Sequence, residues 1–164
     1  MIFRNAAPTI PALFVAFLIS ACTASAAPSP APVPPNLAGN WAVTSAKVNT
    51  TGVAAYLPDD PALLDLRLAV TGDTIAMDGH ACESPRITTE PARFSTLIKE
   101  TYEATPADMG VTSADSTHKT HFITCGKGDI GPSYGRGSWI AEIDSDTVAM
   151  NWFDSVLLFL KRTR

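Results

Sequence analysis

The C-terminal residues 138–162, SWIAEIDSDTVAMNWFDSVLLFLKR, decide the fold class. Three stretches of strand-forming residues, 138–144, 147–152 and 156–162, are separated by the turn residues Ser145-Asp146 and Asp154-Ser155. Parallel neighbours would need a crossover of about a dozen residues or more, and these connections are far shorter. The stretch therefore predicts an antiparallel meander of three strands.

The preceding part of the chain shows the same period of two. Apolar and polar residues alternate over 41–46, 66–70 and 117–125, and Thr71-Gly72-Asp73 predicts a hairpin turn. Helix-start signals, an acid or threonine before proline, occur at Asp60-Pro61 and at Thr105-Pro106, and each predicts a short helix. A closed antiparallel sheet protects its own edges. We therefore predict a mainly β fold, a small antiparallel β-barrel with one or two short helices.

The N-terminus, MIFRNAAPTIPALFVAFLISAC, has the pattern of an export signal. Arg4 precedes an apolar run over residues 10–21, which is shorter than the roughly 20 residues that cross a bilayer. The run ends in Ile19-Ser20-Ala21-Cys22, which resembles the lipobox of bacterial lipoproteins. That resemblance implies removal of residues 1–21 and a lipid on Cys22. The alternative is ordinary secretion, with cleavage after Ala24-Ser25-Ala26.

Residues 22–36 are rich in proline and uncharged, which predicts an extended, disordered tether between the lipid and a single domain over 37–164. In lipoproteins of double-membraned bacteria, Asp after the lipidated cysteine usually keeps the protein in the inner membrane. This chain has Thr23 there. By that resemblance we expect anchoring in the outer membrane, facing the periplasm, with a soluble periplasmic or secreted protein as the alternative.

Three cysteines are an odd number for an exported protein. If Cys22 carries the lipid, Cys82 and Cys125 remain as one pair for a disulfide in an oxidising compartment. The alternative is two buried free thiols.

Charge and histidine placement argue against several classes of partner. With 12 basic and 16 acidic side chains, the chain lacks the basic stripe that binds nucleic acid. His118 and His121 stand three apart on a predicted strand and so point to opposite faces, which prevents them from holding one ion. We expect no metal site, no cofactor and no nucleic-acid partner.

Residues 126–137, GKGDIGPSYGRG, match both the dinucleotide-binding pattern G-x-G-x-x-G and the nucleophile pattern G-x-S-x-G. Both sites require a helix after the glycines, and a strand is predicted here instead. In proteins with this G-x-S-x-G elbow the catalytic histidine also follows the serine, whereas the last histidine here, His121, precedes Ser133. The segment is therefore predicted to be a flexible glycine-rich loop. Its Lys127, Tyr134 and Arg136 are candidate binding residues, because Tyr and Arg are common at interface hot spots.

The two ends of the domain resemble lipocalin-type barrels. Leu37-Ala38-Gly39-Asn40-Trp41 is similar to their G-x-W opening, in which the Trp closes one barrel end. The last strand ends in Lys161-Arg162, and in such barrels a basic residue at this position lies over the Trp. The resemblance implies that Trp41 and either Lys161 or Arg162 close the barrel.

Three functional classes follow from these patterns. The first is a non-enzymatic cell-envelope lipoprotein that binds a protein or a small apolar ligand. The second is an inhibitor of an envelope hydrolase such as a protease or lysozyme, and the third is an enzyme of unrecognised type. A hollow barrel would favour a ligand carrier, and a filled one would favour recognition at the surface.

Overall fold

The computed structural model describes residues 32–49, 51, 54–112 and 114–163, and the predicted signal peptide and lipid attachment at Cys22 lie outside them. As predicted, the described chain is mainly β, with ten antiparallel strands and two short helices. The strands are β1 (Gly39–Val48), β2 (Arg67–Val70), β3 (Thr74–Met77), β4 (His80–Glu83), β5 (Arg86–Arg93), β6 (Thr117–Thr124), β7 (Lys127–Gly128), β8 (Ser138–Glu142), β9 (Thr147–Trp152) and β10 (Val156–Arg162). The helices are α1 (Pro61–Leu64) and α2 (Phe94–Tyr102).

All ten strands belong to one sheet in the order β5-β6-β8-β9-β10-β1-β2-β3-β4-β7. The predicted meander β8-β9-β10 is present, and β10 then pairs with β1, so that Trp41 lies opposite Arg162. This pairing joins the two ends of the domain and curls the sheet into a half-barrel. The curl stays open beside β5, which is an edge strand.

One bent ladder forms a corner of the half-barrel. β4 continues into β5 through Ser84-Pro85, and β6 continues into β7 through Cys125-Gly126. The pairs Glu83↔Lys127 and Arg86↔Thr124 belong to one antiparallel register, so the two long strands stay paired on both sides of the bend. Strands that bend in this way form the corners between two sheet directions.

A disulfide joins Cys82 to Cys125 at this corner, with a Cα–Cα distance of 5.0 Å. This confirms the predicted pairing, and it indicates an oxidising, exported environment. The bond links β4 to the end of β6, so it holds the two halves of the bent ladder together.

The inside of the half-barrel is filled by apolar side chains. They come from every strand except β7, and the bulkiest include Trp41, Leu68, Ile75 and Ile140. The interior of a small β-barrel is either filled by side chains or holds one small ligand. A filled interior is the outcome that favours recognition at the surface.

A second apolar cluster covers the outer face of β8, β9 and β10. Helix α2 supplies Phe94, Leu97 and Ile98 to it, and the sheet supplies Trp139 and Leu157. Consecutive residues of β10 therefore alternate between the two clusters, with Leu157 outside and Leu158 inside. Burial on both faces explains why this part of the sequence is almost continuously apolar.

The folded domain begins before residue 37, where the sequence placed its boundary. Val33 and Leu37 are buried in the inner cluster, and a turn between them is closed by a 2.9 Å hydrogen bond from Leu37 N to the Pro34 carbonyl. The indole Nε1 of Trp41 donates to the Leu37 carbonyl at 3.0 Å. Residues 33–38, which we call the mouth plug, therefore close one end of the half-barrel.

The short helices were predicted in part. α1 begins as expected: the Asp60 side chain accepts a hydrogen bond from Ala62 N, and Pro61 is the first helical residue. The second predicted helical element, expected to start at Thr105-Pro106 and to end near Gly110, has these bounds but is too short to be a helix. Thr105 and Asp108 cap each other, but only a single turn follows, ending at Gly110. Helix α2 was not predicted. Neither of the described helices is long and apolar enough to span a membrane.

Candidate functional site

The loop over residues 126–137 is held against the fold along most of its length. Gly128 pairs with Cys82 in the sheet, and Ile130 is fully buried in the inner cluster. At the far end, the Asn151 side-chain amide donates to the Gly137 carbonyl at 2.5 Å. The loop leads into strand β8 and not into a helix, which agrees with the rejection of both catalytic patterns. The loop was predicted to be flexible, and in the structure these contacts hold both of its ends.

Gly128 is a position where only glycine fits. Its φ is +74°, and a Cβ atom there would lie 1.9 Å from the Ala81 carbonyl oxygen. The backbones of β4 and β7 therefore approach each other more closely than a side chain allows. This close approach seats the start of the loop on the disulfide corner.

Arg136, a candidate binding residue, is engaged within the fold. Its Nη2 lies 3.1 Å from Glu90 Oε1, its Nε lies 3.3 Å from Glu100 Oε2, and its guanidinium stands 4.6 Å from the centroid of the Phe122 ring. The side chain thereby links the loop to β5, β6 and α2. Arg136 is therefore better suited to holding the loop in place than to binding a partner.

Tyr134 has the opposite character. It is 55% exposed, and among the described residues only Leu57, at 73%, is a more exposed large apolar side chain. It lies near Tyr102, where burial raises the pKa well above its ordinary value and Tyr134 adds to that rise. The loop therefore presents one large aromatic ring to solvent from a fixed backbone.

Lys127 is exposed and contacts Glu83 at 3.2 Å across the β4–β7 pair. A surface ion pair of this kind contributes little to stability. Lys127 therefore remains accessible beside the loop.

The predicted contact at the barrel end is present for Arg162. Its guanidinium lies 4.1 Å from the centroid of the Trp41 ring, and it donates to the backbone carbonyls of Ala38 and Asn36. Lys161, the other candidate, is exposed on the opposite face of β10. Arg162 therefore binds the mouth plug to the last strand, and Lys161 takes no part.

A polar network follows the inner face of β5, β6 and β8 beside the plug. The His121 ring is fully buried, with Nδ1 2.8 Å from Thr89 Oγ1 and Nε2 2.6 Å from Glu142 Oε1. The same carboxylate oxygen accepts from Asn36 Nδ2 at 2.6 Å and contacts Lys119 Nζ at 3.1 Å. The network thus connects the plug to the sheet.

The environment sets the charge of each group in this network. Burial lowers the pKa of His121 and outweighs Glu142, which acts to raise it. Burial acts to raise the pKa of Glu142, but hydrogen bonds from His121, Lys119 and Asn36 together bring it below its ordinary value. At neutral pH the carboxylate is therefore ionised and the imidazole is neutral, with Nε2–H donating to Glu142 and Nδ1 accepting from Thr89.

Thr89, His121 and Glu142 stand in the hydrogen-bond order of a nucleophile, a base and an acid. Thr89 and His121 are nevertheless a directly opposed cross-strand pair on regular strands. Neither residue lines any of four clefts on the described part of the chain, which lie beside Phe94, Lys99, Lys161 and Cys125. The arrangement satisfies a buried histidine and anchors the plug.

Of the other two histidines, His118 contacts only the backbone of Glu142, and His80 takes no part in the network. His118 lies on the outer face, with Nδ1 3.0 Å from the Glu142 carbonyl, so His118 and His121 do point to opposite faces. His80 Nδ1 lies 2.6 Å from Asp129 Oδ1, and its ring rests 4.3 Å from that of Phe153. Within the described ranges, no group of three or more His, Cys, Asp or Glu side chains is placed to hold a metal ion.

A largely apolar cleft lies outside the sheet, with a volume of about 330 Å³. Phe94, Val111, Ile143 and Phe159 contribute to its wall, and all four belong to or pack on the outer cluster. Sequence reasoning missed this cleft because it depends on α2 and the chain after it. The phenylalanine at the start of α2 follows Arg93 without any capping side chain, so no start signal marks the helix.

Comparison of the chain with protein-family models, with curated proteins and with solved structures found no match. What the protein does must therefore follow from its own residues.

Proposed function

We propose that the protein is a non-enzymatic cell-envelope lipoprotein that recognises another protein through Tyr134 and the loop over residues 126–137. The observation that carries the proposal is an exposed aromatic side chain on a backbone fixed at both ends. Tyrosine is enriched at interface hot spots, and a preorganised loop loses little conformational entropy on binding.

The filled interior supports recognition of a protein over transport of a small apolar ligand. The inner cluster contains Trp41, Leu68, Ile75 and Ile140, each almost fully buried, so the half-barrel holds its own side chains where a carrier would hold its ligand. The outer cleft beside Phe94 and Phe159 is the place where a small apolar ligand would bind if the protein were a carrier.

The proposed location combines the disulfide with the N-terminal pattern. The bond between Cys82 and Cys125 fits an exported protein, and the lipobox-like end of the signal supports a lipid on Cys22. A lipid followed by a proline-rich segment would hold the domain at a membrane surface. The periplasmic face of the outer membrane is the preferred location, because Thr23 stands where lipoproteins of the inner membrane usually carry Asp. Mass spectrometry of the N-terminal peptide from the host tests this: a diacylglycerol adduct on Cys22 is expected, and an unmodified cysteine contradicts it.

Inhibition of an envelope hydrolase is a second form of the same activity. A loop held at both ends and directly preceded by disulfide-bonded Cys125 is the feature that favours it, because inhibitors bind tightly through surfaces that hardly rearrange. A panel of proteases and lysozymes assayed with the purified protein separates this form from recognition without inhibition.

Affinity capture from the envelope fraction of the host, quantified by mass spectrometry, tests recognition. Tyr134→Ala is expected to weaken capture by more than about tenfold, whereas Tyr134→Phe retains most of it. Leu57→Ala is the matched control, since it removes another exposed apolar side chain away from the loop. All three variants should melt at the wild-type temperature. Equal capture by Tyr134→Ala and Leu57→Ala contradicts the proposal.

A further inference from the structure

The free edge of β5 is long and exposed. Eight residues, Arg86–Arg93, pair with β6 on one side, and no described strand pairs with the other side. Arg86, Thr89, Glu90 and Arg93 are exposed along it. Such an edge is a template for pairing with another strand unless something blocks it.

The hydrogen-bond phase of the ladder shows which backbone groups lie on the free side. Phe94 N donates to the Ser116 carbonyl at 3.0 Å, in the same register as the β5–β6 pairs. In an antiparallel ladder hydrogen-bonded pairs alternate with non-hydrogen-bonded pairs. The even-numbered residues of β5 therefore bond to β6, and Ile87, Thr89, Pro91 and Arg93 direct their backbone groups outward.

The sequence of β5 is complementary to itself in one antiparallel register. If two copies pair about a twofold axis at Thr88, Ile87 lies opposite Thr89 of the partner subunit, and these outward-facing residues exchange four backbone hydrogen bonds. Arg86 then lies opposite Glu90 of the partner subunit, twice, on the same face of the joined sheet.

The charges of the strand suit this register. Arg86 forms no ion pair within the described part of the chain, and Glu90 contacts Arg136 through Oε1.

The prolines of the strand also suit this register. Pro91 has no N–H to donate, and it lies opposite Pro85 of the partner subunit, which has none either. The ladder between the two copies therefore ends at both prolines, and neither proline loses a donor there.

We propose that the protein forms a symmetric dimer in which β5 pairs antiparallel with β5 of a second copy. The contact joins two half-barrels into one continuous sheet. The dimer contact uses the edge strand and does not involve Tyr134. It therefore goes beyond the proposed recognition function, and each of the two can be tested without the other.

Sedimentation velocity of the purified full chain, carrying Cys22→Ser so that acylation plays no part, tests the dimer. The wild-type mass should double as concentration rises toward the millimolar range. Thr89→Pro removes an outward donor without touching the ladder to β6, and it should weaken the dimer by roughly tenfold or more. Thr89→Ala is the matched control, because both variants lose the bond to His121 but the alanine keeps its N–H. Equal dimer constants for these two variants overturn the proposal.

Charge exchange tests the register. Arg86→Glu places like charges opposite each other twice and should shift the protein toward monomer, and adding Glu90→Arg should restore the dimer. Failure of the double variant to recover, with both variants folded by circular dichroism, overturns the proposed register.

Hydrogen exchange on the otherwise unchanged chain keeps the proposal testable if a variant does not fold. The amides of Ile87 and Thr89 should become protected as concentration rises. Fast exchange of both amides at every concentration, or a mass that stays monomeric, overturns the dimer, and an unchanged dimer in Tyr134→Ala shows that the two surfaces are independent.

Discussion

Reduction of the Cys82–Cys125 disulfide is expected to lower the free energy of unfolding by about 4 kcal/mol. The bond closes a loop with a sequence separation of 43 residues. In the chain-entropy description a loop of that length removes roughly 13 cal/mol/K from the unfolded chain, which corresponds to about 4 kcal/mol at 25 °C. The reduced protein should remain folded, because β4–β7 and β5–β6 stay paired on both sides of the corner.

Urea unfolding with and without a phosphine reductant measures this loss. Reduction leaves both sulfur atoms in place and creates no cavity, so the midpoint shift reports the cross-link itself. The dependence of the free energy on urea should also become steeper, since a chain without the cross-link exposes more surface on unfolding. A stability change below about 1 kcal/mol, with two free thiols confirmed on Cys82 and Cys125, would refute the reasoning.

Three further predictions follow from single contacts. Gly128→Ala should destabilise the fold by more than about 2 kcal/mol in urea unfolding, since its Cβ would collide with a backbone oxygen at 1.9 Å; an unchanged midpoint would contradict the close approach. Arg162→Ala should lower the free energy of unfolding by about 2 kcal/mol. Arg162→Lys should be destabilised to a similar degree, because a lysine cannot bond both carbonyls while lying over Trp41. Wild-type stability in the lysine variant would show that charge alone matters. The pKa of His121 is lowered below 6.5 in the folded protein, so the unfolded chain takes up a proton first as the pH falls. The free energy of unfolding should therefore decrease as the pH drops through 6.5. His121→Asn should remove this pH dependence, and the same pH profile in the variant and the wild type would contradict the prediction.

The sequence was sufficient to predict the strands that alternate or end in clear turns. The meander over 138–162, the turn at Thr71-Gly72-Asp73 and the start of α1 at Asp60-Pro61 are all where their local patterns place them. These elements depend on short-range chemistry, namely side-chain period, turn residues and capping, which is readable without knowledge of the partners.

What could not be predicted depends on contacts distant in sequence. β5 contains Thr88-Thr89-Glu90-Pro91 and lacks an apolar alternation, so only its pairing with β6 makes it a strand. α2 has an apolar face that matches the outer cluster, but its N-terminal Arg93 makes no capping bond. Tertiary packing decided both elements where local preference did not.

The candidate site was predicted in its composition but not in its roles. Tyr134, Arg136 and Lys127 were chosen because their residue types are common at interfaces, and only the structure separates exposed Tyr134 from Arg136, which is clamped between Glu90 and Glu100. The part-buried bond between His121 and Glu142 was missed, since Glu142 lies 21 residues away on another strand.

Photocrosslinking from the loop in the living host tests the proposed recognition most directly. A photoreactive phenylalanine analogue placed at Tyr134 should form a discrete covalent adduct with one envelope protein, and the same analogue at Leu57 should not. The absence of any adduct from position 134, or the same adduct pattern from both positions, would contradict recognition through this loop.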